Sequence, residues 1–189
     1  TIERRTKETR IELTWALDGR GTIDARTGVG FLDHMLDHLG KHSVSDLTVR
    51  AAGDVQVDDH HTVEDVGICL GQALGRALGD KAGIRRYGSA AVPMEEALAQ
   101  AAIDLSGRPA LVFAVSFSGS KIGTFDTQLV EEFLRAFARE ARVNLHVNVP
   151  YGANDHHIAE AIFKAVAQAL RQAKERDPAR GDDVPSTKG

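Results

Sequence analysis

The first half of the chain alternates between two hydrophobic periods. Residues 1–26 alternate apolar and polar positions around a turn at 18–21, which predicts a hairpin followed by a third strand. The alternating apolar residues are Ile11, Leu13, Trp15 and Leu17. From Gly30 apolar residues recur at intervals of three and four, which predicts a helix. They are Phe31, Leu32, Met35, Leu36 and Leu39. A strand over 46–52 and a long helix over 62–78 complete this half.

The second half follows the same order. Residues 86–117 are rich in β-forming positions, and the turn signal at 106–109 divides them. A helix over 127–142, a strand over 143–149 and a helix over 158–174 are predicted next. Residues 176–189 are polar with two prolines, and we expect them to be extended.

The two halves are an internal repeat. Aligning Leu47 with Leu145 gives an offset of 98 residues, which places 31–36 on 129–134. We therefore expect an α+β fold in which each half packs helices on one face of a largely antiparallel sheet. We predict a single domain, 1–189, made of two pseudo-repeats at about 1–85 and 86–175 and a C-terminal substrate-binding tail at 176–189.

Composition narrows the class of protein. The chain has 189 residues, 42% of them hydrophobic, and a net charge of −4 with both signs interspersed. This balance argues against nucleic acid or a membrane surface as a partner. The single cysteine, Cys69, cannot form an internal disulfide, which favours a reducing compartment. A cytoplasmic enzyme is the expectation.

Two histidine blocks stand at predicted helix starts. The first histidine block is residues 58–64 and the second is 154–160; each has two adjacent histidines with a glutamate three and four residues further on. That spacing puts the glutamate on one helical face with either histidine, so a metal could be shared within each block. Surface histidines capped by Asp59 or Asp155 are the simpler alternative, although both aspartates could cap and ligate. Two copies favour metal ligation.

The repeat adds one donor to each block. The offset of 98 places Glu132 on His34, each near the start of a predicted helix that precedes its block. If the halves pack about a pseudo-twofold axis, a metal near that axis could take ligands from both histidine pairs. Nitrogen and carboxylate donors without thiolate suit Mn, Fe, Co or Zn, and the carboxylates favour Mn or Fe. We interpret the site as catalytic.

The chain carries five short motifs, at residues 31–38, 58–65, 104–109, 155–157 and 185–189. Together they resemble the imidazoleglycerol-phosphate dehydratase family of histidine biosynthesis. The resemblance covers essentially the whole chain. The family implies a hydro-lyase that converts D-erythro-imidazole glycerol phosphate to imidazole acetol phosphate. It also implies two Mn²⁺ per active site, with Fe²⁺, Co²⁺ or Zn²⁺ as alternatives, and a homo-oligomer of 24 subunits with active sites at subunit interfaces.

The resemblance also implies residue roles. The implied metal ligands are His34, His60, His61, Glu64, Glu132, His156, His157 and Glu160. The implied substrate contacts are Glu8, His42, Arg86, Arg108, Lys164, Ser186 and Lys188, of which Glu8, His42 and Lys164 are expected to be catalytic. Many family members have histidine at the position of Glu132. The family gives no role for His38 or His146.

Chemistry agrees with this assignment. A neutral imidazole is a poor electron donor, whereas a metal on each ring nitrogen would hold an imidazolate that can expel the neighbouring hydroxyl. Glu8 is our hypothesis for the general base. Arg86 and Arg108 could bind the phosphate in forked geometry, together with Ser186 and Lys188. Singly, these four would be solvated turn and tail residues, and Lys164 would be a helical ion-pair partner of Glu160.

Two other classes of protein fit part of the pattern. A di-metal phosphoesterase also needs paired metals and a phosphate clamp, but leaves an imidazole-sized gap between the metals unexplained. A non-enzymatic metal-binding protein needs the histidine blocks and no arginine cluster. The product formed from imidazole glycerol phosphate separates all three.

Overall fold

The computed structural model describes residues 1–186. In this part of the chain the helices are α1 (Gly30–Ser43), α2 (His60–Leu78), α3 (Gln128–Ala141) and α4 (Asp155–Lys174). The strands described are β1 (Ile2–Arg5), β2 (Thr9–Ala16), β3 (Ile23–Arg26), β4 (Asp46–Gly53), β5 (Tyr87–Met94), β6 (Ala97–Asp104), β7 (Ala110–Ala114), β8 (Lys121–Ile122), β9 (Phe125–Asp126) and β10 (Asn144–Tyr151).

The two larger sheets have the same strand order. The first runs β1-β2-β4-β3 and the second β5-β6-β10-β7. In both, the edge strand β3 or β7 is parallel to its neighbour and the other pairs are antiparallel. Leu47 pairs with Trp15 in the first sheet, and Leu145 pairs with Ile103 in the second. The α+β fold with largely antiparallel sheets is therefore confirmed.

Helices lie between the two sheets. Helices α1 and α2 pack on the first sheet, and α3 and α4 on the second. Between the sheets α1 packs against α4 and α2 against α3, so each helix contacts a helix of the other half. Apolar and polar residues alternate along the strands, so one face of each sheet is buried. In β2 the buried residues are Ile11, Leu13 and Trp15, and the residues between them are exposed. The apolar stripe of α1 is buried in the same way.

Close packing of α2 on α3 depends on glycine. A Cβ at Gly67 would lie 2.8 Å from the carbonyl oxygen of Phe133, and one at Gly71 would lie 2.6 Å from that of Phe137. The missing side chains let the two helix backbones approach each other. This packing fixes the position of the first histidine block relative to α3.

The expected extended tail is replaced by turns. The amide of Arg180 donates to the carbonyl of Asp177 at 3.0 Å, and the amide of Asp183 donates to that of Arg180 at 3.1 Å. Aspartates and glycine provide these turns. The tail is also anchored, because the amide of Gly83 donates to the carbonyl of Asp183 at 3.0 Å. The prediction of an extended segment was wrong for this stretch.

Candidate metal centre

Both histidine blocks begin helices, but other residues than expected satisfy the helix ends. Asn154 is the cap of α4, and its side chain accepts from the amides of His156 and His157. Asp59 precedes α2 without a side-chain cap bond. The capping alternative does not hold for Asp155, because its carboxylate accepts from the amides of Ser118 and Gly119 instead. The 118–127 loop therefore packs against the start of α4.

Three predicted ligands meet where α1 packs against α4. Nε2 of His156 lies 3.2 Å from Oε2 of Glu160, and Nε2 of His34 lies 3.4 Å from the same oxygen. The three donor atoms lie within 4.8 Å of one another. We call His34, His156 and Glu160 the α1–α4 cluster. His34 thus joins the block of the opposite half, because α1 packs on α4. The repeat alone had left open which histidine pair His34 would meet.

Glu160 is a buried carboxylate surrounded by cationic and imidazole groups. Its side chain is 8% exposed, and Oε1 accepts from Nζ of Lys164 at 2.5 Å. Burial alone would raise the pKa of Glu160, but the hydrogen bond from Lys164 and the neighbouring His38 lower it to about 2. The carboxylate is therefore ionised at neutral pH, as metal ligation requires.

A row of imidazoles continues along α1 from the cluster. His38 Nε2 lies 3.3 Å from Oε1 of Glu160, and its ring stacks 5.7 Å from that of His42. Burial lowers the pKa of His38 to about 4, against the attraction of Glu160. Burial and then Lys164 also lower the pKa of His42. Neutral rings beside Lys164 leave hydrogen-bonding nitrogens for a polar ligand.

The first histidine block lies apart from this cluster. Nε2 of His60 is 3.9 Å from Oε2 of Glu64 on the next turn. His61 turns the other way: its Nδ1 lies 3.0 Å from Asp54 and its Nε2 lies 3.9 Å from Glu8. The hydrogen bond to Asp54 raises the pKa of His61. Only the first histidine of this block faces the block's glutamate, although the spacing alone permitted either.

The second block divides its histidines in the same way. His156 faces Glu160, whereas Nδ1 of His157 lies 2.7 Å from Oε2 of Glu96. Amides of Asn154 and Ala153, together with His157, lower the pKa of Glu96 to about 2. Sequence reasoning missed Asp54, Glu96 and the contact of His38 with Glu160. The sequence repeat gave no signal for Glu96, since its offset of 98 places Glu8 on Ser106. Only the pairing of β2 with β4 and of β6 with β10 makes Glu96 the counterpart of Glu8.

Glu132 lies near the start of α3, the helix that packs on α2. It is half-buried, and among residues 1–186 its side chain makes no hydrogen bond or ion pair. Its neighbour Glu131 pairs with Arg135. The side of α3 further along reaches the first block, because Arg139 lies 4.0 Å from Glu64. The ligand role of Glu132 stays a prediction.

The predicted phosphate site lies at the start of β5. Arg86 donates to both oxygens of Asp104, at 2.7 and 3.1 Å, and to the carbonyl of Pro185. The tail beside Ser186 is therefore close to Arg86. Arg108 is exposed in the turn after β6, where its carbonyl accepts from Asn144. Lys188 lies outside the described residues.

The arrangement can hold a divalent metal. Imidazole nitrogens and a carboxylate without thiolate suit Mn²⁺, Fe²⁺, Co²⁺ and Zn²⁺, and the α1–α4 cluster supplies such a set from adjacent helices. Within residues 1–186 the other predicted ligands lie outside this group. Two helices of the duplicated α+β fold, α2 and α4, begin with histidines and a glutamate. The fold and this site together define the chain as a metal-binding type of protein with its candidate centre between the two halves. No helix among the described residues is long and apolar enough to cross a membrane.

Comparisons with known proteins agree with this class. Residues 27–170 match the family model "Imidazoleglycerol-phosphate dehydratase". The imidazoleglycerol-phosphate dehydratase of Granulibacter bethesdensis is 62% identical over 100% of this chain and 96% of its own length. That of Ruegeria pomeroyi is 59% identical over 100% and 97%.

Solved structures with this name share the fold. The Staphylococcus aureus enzyme has a TM-score of 0.83 at 43% identity, covering 93% of this chain and 98% of its own. The Pyrococcus furiosus enzyme, in complex with (S)-C348, has a TM-score of 0.85 at 34% identity, covering 100% and 99%. The chain belongs to the imidazoleglycerol-phosphate dehydratase family, a family of hydro-lyases. The resemblance found in the sequence is confirmed.

Proposed function

We propose that the chain dehydrates D-erythro-imidazole glycerol phosphate to imidazole acetol phosphate. The observation that carries the proposal is the α1–α4 cluster, in which His34, His156 and Glu160 converge beside the Lys164 ammonium. Family membership supports the same reaction. Two Mn²⁺ ions are the proposed cofactors, and when bound to the ring nitrogens they would supply the positive charge that favours an imidazolate and loss of the hydroxyl.

Other proposed ligands lie away from the α1–α4 cluster. His60 faces Glu64, and His61 and His157 each contact a carboxylate through Nδ1, which leaves Nε2 for a metal. Within residues 1–186 one chain gathers three donors in one place, whereas divalent first-row metals take four to six ligands. We infer that a second copy completes each centre, in a homo-oligomer of 24 subunits with active sites at the interfaces.

Other residues handle protons and phosphate. Glu8, whose side chain is 52% exposed beside His61, is the proposed base. It would take the proton from the carbon adjacent to the one that loses the hydroxyl. His42 and Lys164 would contact the polyol as neutral and cationic hydrogen-bond donors. Arg86 and Arg108 would bind the phosphate, with Ser186 and Lys188 contributed by the tail.

Arg86 must share its guanidinium to do this. Asp104 already accepts from Nε and one terminal nitrogen, and the carbonyl of Pro185 accepts from the other. The phosphate would therefore meet the two remaining N–H groups, one on each terminal nitrogen. Asp104 then fixes the orientation of Arg86. We further propose that the tail at 176–189 acts as a substrate-binding segment appended to two pseudo-repeats, 1–85 and 86–175. We place the reaction in the cytoplasm, where the buried thiol of Cys69 would remain reduced.

Product analysis tests the proposal. Purified full chain with Mn²⁺ is incubated with imidazole glycerol phosphate, and the ketone product and inorganic phosphate are both measured. Formation of imidazole acetol phosphate without phosphate release is expected. Release of inorganic phosphate would identify a phosphoesterase. Metal binding without either product would leave a metal-binding protein as the function.

A further inference from the structure

Glu8 and Glu96 occupy equivalent positions in the two repeats. Each stands immediately before the second strand of its sheet, at Thr9 in β2 and at Ala97 in β6. Strands β2 and β6 occupy the same place in the order of their sheets: β2 lies between β1 and β4, and β6 lies between β5 and β10. The duplication therefore brings a glutamate near the second histidine of each block.

The two glutamates have different surroundings. Glu96 is fully engaged: Oε2 lies 2.7 Å from Nδ1 of His157, and Oε1 accepts from the amides of Ala153 and Asn154 at 3.1 and 2.7 Å. The Glu8 carboxylate makes no hydrogen bond within residues 1–186, and its nearest charged partner is Nε2 of His61 at 3.9 Å. The carboxylate of Glu96 is therefore occupied by three hydrogen-bonding contacts, whereas that of Glu8 is available for another interaction.

In the first half a different residue contacts the histidine. Asp54 places its two carboxylate oxygens 3.2 and 3.0 Å from Nδ1 of His61. It follows Gly53, which pairs with Thr9, so Asp54 and Glu8 lie at the same end of adjacent strands. Nδ1 of His61 therefore has Asp54 as its carboxylate partner, and not Glu8.

The carboxylate contact determines which ring nitrogen can bind a metal. A carboxylate accepts the proton of Nδ1, which leaves the lone pair of Nε2 available and fixes the plane of the ring. His61 and His157 share this arrangement through partners from different strands. Neither Asp54 nor Glu96 would touch the metal or the substrate.

We propose that Asp54 and Glu96 are matched positioning residues that orient His61 and His157 as Nε2 metal donors. Because Asp54 takes this task in the first half, Glu8 is released from it and is available for proton transfer. The inference rests on the proposed metal centre. It adds that two equivalent glutamates have different roles, positioning of His157 for Glu96 and proton transfer for Glu8.

Substitutions at Glu96 and Asp54 test whether their contact with Nδ1 positions the two histidines. In Glu96→Gln the carbonyl oxygen can still accept from Ala153 and Asn154, but the amide nitrogen would donate to Nδ1 of His157. The ring proton then moves to Nε2 and blocks ligation. Both oxygens of Asp54 face Nδ1 of His61 and no backbone amide among residues 1–186 holds either of them, so an asparagine could still turn its carbonyl oxygen to this ring. Asp54→Ala is therefore the variant that removes the acceptor at His61. Glu95→Gln is the matched control, since Glu95 is the exposed neighbour in the same hairpin and makes no hydrogen bond among the described residues.

Mn²⁺ binding is the readout. Mn²⁺ is titrated into metal-depleted full chain, and the free hydrated ion is measured by its electron paramagnetic resonance signal. Thermal unfolding in chelator reports the fold separately. We expect Glu96→Gln and Asp54→Ala to weaken Mn²⁺ binding by about 10–100-fold. Melting in chelator should fall slightly in Glu96→Gln, because the amides of Ala153 and Asn154 bind a carboxylate more strongly than an amide oxygen. Glu95→Gln and Glu8→Gln should bind as wild type, although Glu8→Gln should lose turnover.

Two results would overturn the inference. One is Mn²⁺ affinity equal to wild type in both Glu96→Gln and Asp54→Ala. The other is lower melting in chelator with unchanged affinity, which would make the contacts purely structural. Wild-type protein that binds no divalent ion would instead overturn the metal centre itself, so the two failures are distinguishable.

Discussion

Lys164 donates a hydrogen bond of 2.5 Å to Glu160, one turn earlier in helix α4. Both side chains are largely buried, at 17% and 8% exposure. A buried carboxylate needs a cation or several hydrogen bonds to remain ionised. In the metal-free chain Lys164 therefore stabilises the charge that a metal would otherwise neutralise.

Replacing Lys164 by methionine should destabilise the metal-free protein by about 3 kcal/mol, because Glu160 keeps its burial and loses its cation. Urea unfolding in chelator measures this change. Arg171→Met on the same helix is the control, since Arg171 and Glu175 form an exposed pair 4.0 Å apart. The control should change stability by less than about 1 kcal/mol. Equal effects of the two substitutions would contradict the argument.

Glu132→Ala should remove about one metal ion per chain, as expected for the loss of one carboxylate ligand. Elemental analysis after dialysis gives the metal content. Glu132→His should retain both ions, because imidazole can replace the carboxylate. Glu131→Ala is the control, since Glu131 pairs with Arg135 on the exposed side of α3. Wild-type metal content in Glu132→Ala would show that Glu132 is not a ligand.

Removal of metal should reduce both stability and assembly size. If ligands come from several copies, metal binding and association are linked, and saturation at 100 times the dissociation constant stabilises by about 2.7 kcal/mol. Melting and sedimentation with and without chelator measure the two effects. Chelated protein of unchanged mass and unchanged melting temperature would count against shared centres.

Two glycines of α2 should respond oppositely to alanine. At Gly71 an added Cβ would meet the carbonyl of Phe137 at 2.6 Å, so Gly71→Ala should destabilise by about 1–3 kcal/mol through overpacking. At Gly75 the nearest atom is 3.9 Å away, so Gly75→Ala should stabilise the helix by about 0.5–1 kcal/mol. Urea unfolding of the pair checks both signs. Similar destabilisation at both positions would refute the close approach of α2 and α3.

Cys69 should be unreactive in the native protein. Its side chain is fully buried in α2, and burial raises the pKa of the thiol to about 11. At pH 8 about one thiol in a thousand would be ionised, and the thiolate is the reactive form. Ellman's reagent should therefore modify Cys69 only after unfolding in guanidinium. Rapid labelling of folded protein would contradict this burial.

The histidine blocks were predictable because helical spacing is local. Four residues between His156 and Glu160 place both on one face wherever α4 lies in the fold. The strands themselves were predictable for a related reason, since the alternation of apolar and polar residues is local. Their order within each sheet was not predicted and came from the structure. The sequence also determined which family the chain belongs to, through motifs that need no three-dimensional information.

Only the tertiary structure decided which helices meet. Apolar stripes say that α1 and α4 are buried on one face, but not that His34 would reach Glu160 instead of the first block. The same holds for Glu96 at His157 and Asp104 at Arg86, which come from distant segments. Such contacts depend on how whole elements pack, and the periodicity of a single element carries no information about its partner.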